Sequence, residues 1–97
     1  MRRFAWSPDK NAELKSDPER AVCFEDIVAA IEGGGLLADM PHPNREKYPH
    51  QRLLVVQLNE YVYGVPCVPT ADGLFLKTAF PSRRLKILYL SGESNAK

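Results

Sequence analysis

Long apolar runs are missing from this chain. None exceeds five residues, the longest being Ile27 to Ile31, far below the roughly 18 that a membrane-spanning helix needs. Cysteine is scarce: Cys23 and Cys67 stand alone with no CxxC spacing, which excludes a disulfide-stapled scaffold and a cysteine-based zinc site. Set among Val22 and Phe24, and among Pro66 and Val68, both read as buried, reduced thiols of a cytoplasmic protein. Neither sign of charge prevails, since 13 cations against 12 acids leave a net +1, so the molecule as a whole is no magnet for polyanions. GxSxG, P-loop, GxGxxG and HExxH motifs are absent, and Gly33-Gly34-Gly35 follows a helical stretch, which rules it out as a phosphate cradle. No repeat or low-complexity tract occurs. Met1-Arg2-Arg3 leads into Trp6-Ser7-Pro8 without an apolar stretch, so no signal peptide is expected.

What is present suits one globular domain spanning 1–97: 97 residues, 44% hydrophobic and 26% charged, enough for one modest core. The charges are unevenly placed. Residues 9–32 hold seven acids against three cations, whereas residues 42–86 hold seven cations against three acids. Such asymmetry favours a polyanion-binding face on the second half.

Periodicity gives the elements. Arg3-Phe4-Ala5-Trp6 reads as a strand, followed by Ser7 as N-cap, Pro8 at the first helical position and a helix to Leu14 or Lys15. Phe24, Ile27, Val28 and Ile31 form the stripe of an amphipathic helix, stopped by the three glycines. Leu36–Met40, Arg52–Leu58, Tyr61–Val68 and Leu74–Phe80 read as strands, with turns at Asn59-Glu60 and Ala71-Asp72-Gly73. Pro66 inside the third of these predicts a bulge or an exposed edge. Leu85, Leu88 and Tyr89 at helical spacing predict a short helix or an extended tail, and the last residues, 91–97, read as frayed. The fold class expected is α+β, with N-terminal helices packed on an antiparallel sheet.

The densest polar stretch is His42-Pro43-Asn44-Arg45-Glu46-Lys47-Tyr48-Pro49-His50-Gln51-Arg52. It contains both histidines and three cations. Histidine is the side chain whose ordinary pKa lies nearest neutrality, so His42 is the first candidate for acid–base work and Tyr48 the second. Exposed loop residues with no such role are the plainer alternative. Two histidines with seven residues between them and no cysteine nearby match no metal-ligand spacing, so neither metal nor cofactor is expected. Arg45, Lys47, Arg52, Lys77, Arg84 and Lys86 are candidate RNA-binding residues, because guanidinium forks and ammonium groups suit phosphate. Aromatics lie between them (Tyr48, Tyr61, Tyr63, Phe75, Phe80, Tyr89) and suit base stacking, though alternation puts Phe75 and Phe80 in the core. Lys10 sits in the first turn of a helix, where the dipole disfavours a cation, which suggests a binding role.

Four ordered pieces, Phe4-x-Trp6-x-x-x-Lys10-Asn11, Phe24-Glu25-Asp26-Ile27-Val28-x-Ala30-Ile31, His42-Pro43-Asn44-x-x-Lys47-Tyr48-Pro49-x-Gln51 and Phe75-Leu76-Lys77-Thr78 with Pro81-Ser82-Arg83, resemble the BrnT-like toxins of bacterial type II toxin–antitoxin systems. The resemblance implies a RelE-like ribonuclease fold, RNA as substrate and a cognate antitoxin as partner. It also implies catalytic parts for Lys10 and Arg83. Ser7 departs from the family pattern, in which an acid commonly follows the tryptophan. The expected chemistry is metal-independent cleavage by attack of the 2′-hydroxyl on the adjacent phosphorus. Lys10 and Arg83 would stabilise the phosphorane oxygens, with His42 and Tyr48 moving protons. A non-catalytic module that binds RNA or a protein is the alternative.

Overall fold

The first helix starts where the sequence says it must. In the computed structural model, which describes residues 3–20 and 22–91, β1 (Arg3–Trp6) passes through extended Ser7 into α1 (Pro8–Ser16). The Ser7 hydroxyl accepts the Lys10 backbone N–H at 3.3 Å, satisfying one of the orphan donors of the first turn. The second helix, α2 (Phe24–Ala30), has no cap from its own Cys23. Its cap comes from α1: the Phe24 N–H donates to Asn11 Oδ1 at 2.8 Å, while Asn11 Nδ2 donates to Glu25 Oε1 at 2.8 Å. A wide turn, Ile31–Gly35, ends the helix, with Gly34 at φ 97°. Gly35 permits a close approach, since a Cβ there would lie 2.5 Å from the Gln57 carbonyl oxygen.

The strands β2 (Leu36–Pro41), β3 (Arg52–Leu58), β4 (Tyr61–Pro69) and β5 (Gly73–Leu76) form one sheet in the order β1-β5-β4-β3-β2, and β6 (Phe80–Pro81) also pairs with β4. The sheet is mixed, which corrects the antiparallel expectation: β1 lies parallel to β5. The rest of the chain between them is ample for a parallel crossover. Gly73 admits the pairing, because a Cβ there would overlap the Arg3 backbone. The break predicted by Pro66 falls on the neighbouring strand instead of on its own. β4 pairs Cys67 with Leu76 but Gly64 with Phe80, so residues 77–79 oppose only 65–66. This is a one-residue bulge. Proline has no N–H to offer, and the partner strand detours where that donor would have been needed.

The two faces of the sheet are covered by different elements. Leu54, Val56, Val65, Cys67, Leu74 and Leu76 join Leu14, Phe24 and Ile27 in one buried cluster, and Trp6 leans on Phe24 at 5.6 Å between ring centroids. The opposite face carries Gly64, whose missing Cβ leaves room for the Phe80 ring and Leu85. Leu85 belongs to α3 (Arg83–Lys86), capped by the Ser82 hydroxyl, which accepts the Leu85 N–H at 3.1 Å. The helix runs on through the wide turn Ile87–Ser91, so of the two C-terminal alternatives the helix is found. Of the fraying expected at 91–97, Ser91 instead belongs to this turn, and residues 92–97 lie outside the described residues. Cys67 is buried and Cys23 half-buried, both as free thiols, a correction for Cys23. No helix among the described residues is long and apolar enough to cross a membrane.

Candidate nucleic-acid interface

The β2–β3 loop, residues 42–51, is held at its base by the His42 N–H donating to the Gln51 carbonyl at 3.0 Å, with the Tyr48 N–H donating to the Asn44 carbonyl at 2.9 Å. Asn44 organises the interior. Its N–H donates to His42 Nδ1 at 3.0 Å, and its side-chain oxygen accepts the Lys47 N–H at 3.2 Å. The His42 and Tyr48 rings meet at 4.6 Å between centroids, and Lys47 Nζ lies 5.4 Å from the Tyr48 centroid. Because Nδ1 is an acceptor, the neutral imidazole carries its proton on Nε2 and offers a donor there. For His42 to serve as a base, it must first release the Asn44 N–H. Arg45, Lys47 and His50 are exposed on the same loop.

A cleft of about 410 Å³ joins this loop to the C-terminal helix. Pro43 and Met40 form one wall, Leu53 and Phe80 the floor, and Arg84, Leu85, Leu88 and Tyr89 the other wall. A second hollow, about 380 Å³, lies beside it on the far side of α3, lined by Tyr61, Arg83, Lys86 and Ile87. There Lys86 Nζ sits 4.9 Å from the Tyr61 centroid, with Tyr63 edge-on to Tyr61 at 6.0 Å. Burial, helped by the neighbouring Tyr61, raises the Tyr63 hydroxyl above its ordinary value. Among 83–91 there are three cations and no acid. The other layer, α1 to α2, holds the acidic half of the sequence. The uneven charge order along the chain therefore becomes a difference between the two faces of the sheet.

Of the expected site residues, the structure joins some and separates others. His42 and Tyr48 are together. Lys10 is not with them. Pro41, Arg52, Cys67, Leu76 and Trp6 form one row across the sheet. His42 leaves that row at the β2 edge and α1 leaves it at the β1 edge, four strand spacings apart, about 19 Å along the sheet. Lys10 instead meets Glu13 at 3.3 Å, which explains a cation in a first helical turn without invoking a ligand. Arg83 faces the Tyr61 hollow, and Ser82 pairs with Val62, five residues along β4 from that row, about 17 Å. Arg84 is the cation that shares the cleft with Pro43. Arg52 is engaged in the fold, with Nε 2.6 Å from Asp39 Oδ1 and Nη2 3.2 Å from the Asp39 carbonyl. Lys77 is exposed, 5.8 Å from the Phe75 centroid.

Two residues that matter were not singled out by sequence reasoning. Asn11 is the buried polar residue among those described, 6% exposed; its place beside Lys10 in the first motif was the available signal. Arg20 reaches the bulge, its Nη1 donating to Thr78 Oγ1 at 3.1 Å and to the Ala79 carbonyl at 3.4 Å. Nothing local in the sequence marks that contact, which spans 58 positions. Comparison with known proteins adds no identity: no protein-family model, no curated protein and no solved structure matches this chain.

Proposed function

We propose that this protein is an RNA-cleaving toxin of a type II toxin–antitoxin system, similar to the BrnT-like toxins, with a RelE-like fold, acting in the cytoplasm and silenced by a cognate antitoxin. The observation that carries the reading is the cleft that joins the histidine loop to an acid-free basic helix, on the face away from the acidic helices. The four-part sequence resemblance supplies the family. In the reaction, the 2′-hydroxyl attacks phosphorus as His42 Nδ1, released from the Asn44 N–H, takes its proton; the negative charge grows on the non-bridging oxygens, and the P–O5′ bond breaks as the 5′-oxygen takes a proton from water. Arg84 at the cleft stabilises the growing charge, while Arg83, in the hollow on the other side of α3, holds a neighbouring phosphate of the strand. His42 presents Nε2–H as a donor, and Tyr48 against it fixes the ring plane. Incubating RNA with purified protein in excess EDTA tests this. The expected products carry 2′,3′-cyclic phosphate and 5′-hydroxyl ends, and His42→Ala slows cutting about 100- to 10,000-fold. Cutting that disappears with the chelator overturns the mechanism, and growth unaffected by induced expression overturns the toxin assignment.

The separation of Lys10, His42 and Arg83 favours a second reading, a non-catalytic module binding RNA or a protein through the same basic face. In that case the parent protein binds RNA without cutting it, and His42→Ala and Arg83→Ala lose affinity alone.

A further inference from the structure

We infer that the cleft between the β2–β3 loop and α3 takes one unpaired nucleobase, stacked against Tyr89 with its phosphate on Arg84. This rests on the RNA-binding reading above and names the subsite that reading lacks. The cleft, about 410 Å³, falls within the roughly 300–1,000 Å³ of small-molecule sites. Its floor is apolar: Leu53 is buried, and Met40 and Phe80 flank it. Besides the Tyr89 phenol, two polar side chains line it. Ser82 Oγ is already occupied by the Leu85 N–H, which leaves Arg84 as the group able to meet a ligand's charge. No acid pairs with Arg84 among the described residues. Leu88, on the same wall, is 62% exposed, so apolar surface is left uncovered at the mouth.

An apolar slot with a phenol ring and one guanidinium matches a nucleotide. Every base has a π-face that stacks irrespective of sequence, and its one anionic group is the phosphate. The neighbourhood extends the match in both directions. Lys47 and Arg45 stand on the loop that supplies Pro43, and on the other side of α3, Arg83 and Lys86 beside Tyr61 offer the next cation–aromatic pair. A single strand crossing α3 thus meets cations and rings in alternation, with the cleft as the more apolar of the two hollows on its track.

The experiment compares two labelled RNA octamers, both 2′-O-methylated to block cutting, one with bases and one abasic throughout. Their phosphate counts are equal, so anisotropy titration isolates the bases. The base-bearing octamer should bind about tenfold tighter or more. Tyr89→Ala and Leu88→Asp should each bring it down to the abasic level, the latter at a position exposed enough to leave folding intact, while Tyr89→Phe keeps the difference. Arg84→Ala should weaken both octamers by a similar factor. Equal affinities for the wild type, or no binding of either, overturn the inference. So does a shift of the Leu88 and Tyr89 NMR signals with protein concentration alone, which assigns the cleft to a second copy of the chain. Base-dependent binding without cutting of natural RNA keeps this inference and removes the nuclease; cutting without base dependence does the reverse.

Discussion

Asn11 shows how much one side chain can organise. Its side-chain amide accepts a hydrogen bond from one group of α2 and donates one to another, and both partners sit in the first turn, where unsatisfied N–H groups and the positive end of the dipole are concentrated. Replacing it with alanine orphans the Phe24 N–H in a buried setting, so Asn11→Ala should lower stability by about 1–3 kcal/mol in urea titration. The same amide donates to Glu25, and this bond, more than Lys15 at 3.9 Å, holds the Glu25 carboxyl below its ordinary 4.5. A carboxylate favoured by the folded state stabilises it above pH 4.5, and that contribution fades as pH falls through the lowered value. Glu25→Gln should therefore flatten the loss of stability as pH falls below 4.5, measured as urea midpoints at each pH. A curve as steep as wild type would refute the linkage. The Lys10-Asn11 pair was legible as a motif. What the motif hid was the division of labour, because a sequence does not show that Asn11 turns inward while Lys10 meets Glu13 at the surface.

At the scale of elements, local pattern and tertiary pairing part company. The strands Arg52–Leu58 and Tyr61 onward, and the glycine stop after α2, follow from alternation and turn chemistry, which act between neighbours in sequence. The parallel partnership of β1 with β5 does not, since it depends on two edges about 70 positions apart and on Gly73, which reads locally as a turn residue only. The bulge lies between these cases. Pro66 announced that a donor was missing, but a single strand cannot say which side yields. The partner yields, and Arg20 repairs the consequence by donating to the Ala79 carbonyl, in a residue that is fully buried. Arg20→Ala leaves that acceptor without its charged donor and should cost about 1.5–3 kcal/mol. Hydrogen exchange should rise most at Lys77 and Ser82, whose N–H groups bond to β4 on either side of the bulge. Uniform exchange across the sheet would show that Arg20 acts elsewhere.

Across the whole molecule, the sheet separates charge. The acidic first third of the chain folds onto one face, and the basic C-terminal helix covers the other, so a linear imbalance hidden by a net +1 becomes a two-sided surface. That much of the candidate site was legible from charge order. Which cations remain available was not, because availability depends on tertiary partners: Arg52 is held by Asp39 and Lys10 by Glu13, whereas Arg84 opens on the cleft. This distinction has a measurable form. Each phosphate contact to a single strand contributes about 0.7 to the slope of log affinity against log salt. Arg84→Ala should lower the RNA slope by about that amount and leave the urea midpoint close to wild type. Arg52→Ala should do the opposite, with little change in slope and a stability loss of about 1–3 kcal/mol as Asp39 loses a charge-assisted partner. A larger slope change for Arg52 than for Arg84 would move the proposed RNA track off the α3 face and toward the β2 edge.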